Sequence, residues 1–153
     1  MATGHLRQAF EEYSRALGES SEDTPNAKRM EQAMRLKRAE IAIGIQQYAT
    51  AADDFRLLLQ ASPNVPRLIV GLGLALVGQG KSAQAKELLD PLVARSPSAP
   101  AFYGRAMAYH GLGNLPEALK DLDQAIRLEP QNLQYLQIRN QLSPATAKPQ
   151  ATK

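Results

Sequence analysis

The chain has 153 residues, 44% of them hydrophobic and 22% charged, with a formal net charge of +3 and neither cysteine nor tryptophan. This length suits one domain with a real core, and the missing cysteines exclude a disulfide framework or a thiolate metal site. No apolar run reaches the roughly 18 residues of a membrane span, and helix formers dominate where strand-type runs are missing.

The N-terminal stretch MATGHLRQAF has no signal-type apolar segment, so the expected compartment is cytoplasmic unless the chain is a fragment. Residues 1–18 predict a helix with Gly4, Ala9, Tyr13 and Ala16 at the spacing later shown by Gly113, Ala118, Leu122 and Ala125. It resembles half of a helix pair. Residues 19–25 form a polar, acidic loop ending in Thr24-Pro25, a helix-start signal. A long helix is expected from there, over about 25–45.

Three helix pairs follow, at 26–64, 65–98 and 99–131, and internal repetition ties them together. Gly44, Gly78 and Gly111 stand 34 and 33 residues apart. The same offsets relate Ala39, Gly73 and Ala106; Ala51, Ala85 and Ala118; Phe55, Leu89 and Leu122; Leu58, Leu92 and Ala125; and Pro63, Pro97 and Pro130. Small residues let paired helices approach, large ones fill the gap to the next pair, and the proline ends the second helix. Gly80-Lys81-Ser82 looks at first like the end of a phosphate-binding loop. That loop needs a glycine at position 75, where alanine stands, and a preceding strand, where the spacing is helical. The glycines instead close a helix, with Ser82 expected as the N-cap of the next. Pro91, inside that next helix, predicts a kink. Residues 132–142 predict a capping helix, and 143–153, rich in Pro, Ala, Thr and Lys, a disordered tail.

The columns are most complete in PAFYGRAMAYHGLGNLPEALKDLDQAIRLEPQN, with Phe102, Ala106, Tyr109, Gly111, Gly113, Ala118, Leu122, Ala125 and Pro130. This pattern resembles the tetratricopeptide repeat, a helix–turn–helix unit of about 34 residues. The resemblance covers about residues 32–132. It implies an all-α fold, a right-handed α-solenoid of antiparallel helix pairs, with seven or eight helices and no strands.

The resemblance also implies a concave groove lined by the first helix of each pair. Carried onto this chain, its columns are Leu36, Val70 and Tyr103; Glu40, Leu74 and Met107; and Ile43, Val77 and His110. Chaperone-binding members grip a C-terminal carboxylate with Lys, Asn and Arg in such columns. Those residues are absent here, with Arg67 the nearest basic candidate, and the groove is mainly apolar. The expected function is a non-enzymatic scaffold or adaptor that takes an apolar or amphipathic segment of another protein, with a chaperone-like role as one form of it. The alternative is an accessory module of a larger enzyme or assembly factor. Self-association is compatible with either.

Nothing in the sequence marks a catalytic, cofactor or metal site. His5 and His110 are far apart and lack a second ligand at helical spacing. Asp53-Asp54 and Asp121-Asp123 are expected on solvated helix faces. The segment AKRMEQAMRLKRAE carries Lys28, Arg29, Arg35, Lys37 and Arg38, so an anionic partner at 28–38 is a minor reading. Nucleic acid is disfavoured because no aromatics interleave for stacking.

Overall fold

The computed structural model describes residues 2–19 and 23–143, omitting side chains for residues 2 and 3. Most of the expected tail, and residues 20–22 of the acidic loop, lie outside the described residues. Among those described there are eight helices and no strand: α1 (Ala2–Glu19), α2 (Pro25–Gly44), α3 (Tyr48–Ala61), α4 (Pro66–Gly78), α5 (Ser82–Arg95), α6 (Ala99–Gly111), α7 (Leu115–Leu128) and α8 (Leu133–Leu142). Each helix packs on the next, and α2, α4 and α6 also contact one another in sequence. The result is an all-α solenoid of antiparallel pairs α2–α3, α4–α5 and α6–α7.

Local chemistry explains the boundaries. Thr24 Oγ1 accepts a hydrogen bond from the Ala27 amide at 3.1 Å, with Pro25 opening α2. Asn114 and Asn132 cap α7 and α8 in the same way, accepting from Glu117 and Gln134. The first helix of each pair ends in one repeated turn. The amides of Gln47, Lys81 and Asn114 donate to the carbonyls of Ala42, Leu76 and Tyr109, five residues back. This turn needs a left-handed residue, supplied by Gly80 (φ +75°) and Gly113 (φ +76°). In the first repeat a glutamine, Gln46, takes that conformation at φ +64°.

The small-residue columns are buried as their spacing requires: Ala39, Ala51, Ala85, Ala106 and Ala118 have no exposed surface. The glycine column joins neighbouring repeats. A Cβ at Gly78 would meet the Tyr48 ring, and one at Gly111 would meet Ser82. Leu6 of α1 stands against Gly44, where an added Cβ would make ordinary contact with it.

Two expectations from the sequence are corrected. Ser82 is not an N-cap. It is the first residue of α5, only 5% exposed, and lies against Gly111, while Lys81 stands at the cap position without a side-chain capping bond. Its hydroxyl serves the inter-repeat contact instead. The second correction concerns Asp54 and Asp121. They are not solvated but 1% and 3% exposed, because arginines on the preceding helices cover and neutralise them. Pro91 lies in the interior of α5, which runs unbroken to Arg95.

Candidate functional site

The groove residues named from the sequence separate into three groups. Val70 is corrected first: it is 7% exposed and belongs to the core with Leu89, Leu92, Val93 and Ala101. It is too enclosed to touch a partner. Tyr103 is half-buried under α8. Its ring lies 5.1 Å from that of Tyr135, tilted by 32°, and its hydroxyl accepts a hydrogen bond from Gln134 Nε2 at 3.2 Å. Burial raises the phenol pKa of Tyr103, with the Gln134 bond acting in the opposite direction. Tyr135 is pushed up to about 12, first by burial and then by Glu129 and Tyr103.

The second group stays partly open. Leu36, Ile43, Leu74, Val77 and Met107 are half-buried. Leu36, Ile43 and Val77 rest on the core around Phe55 and Leu76, and Leu74 rests on the core around Leu89. Met107 belongs to none of the apolar clusters. His110 is exposed at the C-terminal end of α6.

The third group is charged. Arg67, 64% exposed, donates to Glu40, so this pair bridges α4 and α2 at the edge of the apolar strip. Beside it lies a cavity of about 390 Å³ between α2, the end of α3 and the start of α4.

The sequence columns did not reveal the buried ion pairs. Arg38 donates from Nε and Nη2 to the two carboxylate oxygens of Asp54, both at 2.7 Å. Arg105 grips Asp121 in the same two-point way, at 2.7 and 2.9 Å. Each arginine also reaches the previous repeat: Arg38 to Ser14 Oγ at 3.4 Å, and Arg105 to Asp90 at 3.3 Å. Hydrogen bonding to Asp121 holds the Arg105 guanidinium further above its usual range, against the opposing effect of burial. Lys86 and Arg105 also stand over the Tyr109 ring, at 5.6 and 5.7 Å. One signal was available. Arg38 and Arg105 share a column, as do Asp54 and Asp121, and the second repeat has leucine at both places, Leu72 and Leu88.

These carboxylates are fully engaged in holding helices together, which leaves them no free geometry for acid–base work. Among the described residues, no three His, Cys, Asp or Glu side chains group as a metal site. Nor is any described helix long and apolar enough to cross a membrane. The basic residues at 28–38 are largely internal partners: Arg35 pairs with Glu31 and Asp54, Arg38 with Asp54, Lys28 with Asp23 and Lys37 with Glu40.

Comparison with known proteins agrees with this architecture. A tetratricopeptide repeat family model matches residues 70–132. Among solved structures, the first TPR domain of the human RPAP3 protein is 24% identical, with a TM-score of 0.64 over 73% of this chain and 89% of that one. A tetratricopeptide repeat protein from Parabacteroides merdae is 21% identical, with a TM-score of 0.66 over 91% of this chain and 52% of that one. MamA from Desulfovibrio magneticus is 20% identical, with a TM-score of 0.64 over 92% of this chain and 82% of that one. At these identities the likeness is one of fold. A search of curated protein sequences finds no match.

Proposed function

We propose that this chain, a solenoid of tetratricopeptide repeats, is a non-enzymatic protein–protein interaction scaffold. Its inner face on α2, α4 and α6 takes an apolar or amphipathic segment of another protein. The observation that carries this reading is the half-open strip of Leu74 and Val77 on α4 with Met107, the counterpart of Leu74, on α6. Apolar side chains left accessible on a chain with ample buried positions elsewhere mark a surface that another molecule covers. Methionine suits such a surface because its flexible thioether adapts to varied partners. Tyr103 has a different role. It ties α8 onto α6, so Leu74, Val77 and Met107 form the centre of the strip. A chaperone-like role would follow if the captured segment were one that must stay covered until assembly.

The test is photo-crosslinking. A crosslinker at position 107 should capture protein partners, whereas one at the exposed outer position Glu87 should not. Equal capture at both positions, or capture only at 87, contradicts the assignment.

A further inference from the structure

The cavity at the junction of the first two repeats has a wall that the next junction lacks. Helices α2, α4 and α6 all end at the same glycine column, but α2 has 20 residues and the others 13. The additional length, residues 25–31, projects past the α3–α4 turn. Through Arg29 it adds to the lining of the cavity of about 390 Å³, which also includes Ala33, Leu36, Leu58, Val65 and Leu68. Its size suits one or two large apolar side chains. Val65 in this lining is 40% exposed, so apolar surface reaches the rim.

The charged part of the wall is basic, beside the neutral Gln32 and Ser62. Arg29 and Arg67 both line the cavity. Arg29 is exposed and has no acidic partner among the described residues. Arg67 has one, Glu40, which it meets through a single guanidinium nitrogen. A guanidinium carries five donors in a planar fork suited to a carboxylate, so both arginines retain capacity for a ligand. No acidic side chain lines this cavity.

Resting on the scaffold reading above, we infer that this cavity anchors the partner and sets its chemistry. It takes a large apolar side chain flanked by aspartate or glutamate, presented by an acidic amphipathic peptide segment. The charge complementarity selects that occupant over a basic or neutral apolar segment, and it orients the segment with its acidic side toward the start of α2. The strip at Leu74, Val77 and Met107 then receives the rest of the segment.

The experiment selects a random displayed peptide library on the immobilised full chain. The enriched peptides should combine Leu, Met or Phe with Asp or Glu, and their binding should weaken as salt rises. Arg29→Glu with Arg67→Glu should reduce the affinity of those peptides by at least roughly tenfold. Because reversing Arg67 places it against Glu40, Arg29→Glu alone and the cavity-filling Ala33→Phe serve as independent variants, and each should weaken binding with unchanged helicity. Enrichment without acidic bias, or acidic peptides indifferent to all three variants, overturns the inference. Peptides lost on Met107→Ser yet untouched by these variants would overturn it while leaving the scaffold reading standing. Failure to enrich any peptide counts against both. Acidic peptides that bind by charge alone, with no effect of Ala33→Phe, would also overturn it.

Discussion

In the first and third repeats an arginine and an aspartate meet between the paired helices; in the second repeat, leucines stand at both positions. Arg38 with Asp54 and Arg105 with Asp121 are the polar form, while Leu72 and Leu88 belong to the apolar cluster that also holds Phe55 and Leu76. The first helix of each pair nevertheless ends in the same turn in all three. One position in the repeat therefore accepts a two-point ion pair or an apolar pair, provided that both residues change together. Stripping water from two charges costs about what their attraction returns, so neither form has a large advantage. A half-changed pair is a different matter, because it leaves a charge buried and alone.

The largest expected effect follows from that asymmetry. Arg105→Leu should destabilise the fold by about 3–5 kcal/mol, since Asp121 stays enclosed without its partner. Arg38→Leu should cost somewhat less, because Arg35 also donates to Asp54, at 3.2 Å. Chemical denaturation of the two variants reads both values. Similar small losses in both would mean that Asp121 gains water or protonates cheaply, and the comparison between repeats would lose its basis.

The paired replacement is the sharper version. Converting Arg105 and Asp121 together to leucine makes the third repeat resemble the second. It should recover most of the loss and leave stability near that of the parent, or up to about 1–4 kcal/mol above it. Lys86 and Asp90 remain paired with each other at 2.7 Å in either case. A double variant as unstable as the single one would show that the arginine is needed for its bond to Asp90 and its place over Tyr109.

The turns offer a smaller contrast between the first repeat and the others. Gly80→Ala should cost about 1 kcal/mol, because a side chain resists the left-handed conformation even though open space surrounds its Cβ. Gln46→Gly, the reverse change at the matching position, should stabilise by less than that, since glycine also gains freedom in the unfolded chain. Thermal melts of the two variants test the sign of each.

The smallest effect is confined to alkaline solution. Tyr135 in the folded chain is pushed up to about 12 from an ordinary value of 10.0. The fold thus favours its protonated form. Stability from this group is fully present below about pH 10 and is lost as pH rises toward 12. Tyr135→Phe should therefore flatten the fall in melting temperature across that window. An unchanged slope would mean that the phenol ionises in place without disturbing its contact with Tyr103.

What could be read in advance divides along similar lines. Helix pairs and turns were legible because each column is sampled three times, so Gly78, Ala85 and Leu89 are interpreted by their counterparts. Asp54 and Asp121 were not legible one at a time, because a charge on a helix usually faces water. Only their shared column with each other, and the matching arginines, distinguishes them. The burial of Val70 and the contact of Tyr103 with α8 were not legible for another reason. Helical position sets the direction of a side chain but not what lies beyond it, and for Tyr103 that is the ring of Tyr135 on α8. The basic rim of the first junction depends on the length of α2, which the Thr24-Pro25 start did indicate, although the cavity it makes with Val65 and Leu68 is a tertiary feature.

The ion pairs, then, join the helices of the solenoid, and binding is proposed for the open strip rather than for them. Titration of the library-selected peptide into three chains tests this separation most directly: the parent, Met107→Ser, and the double leucine variant at 105 and 121. The account predicts that Met107→Ser binds at least roughly tenfold more weakly with an unchanged melting temperature, while the double leucine variant binds as the parent does. Parent-like binding by Met107→Ser, or a loss that appears only in the double leucine variant, would contradict it.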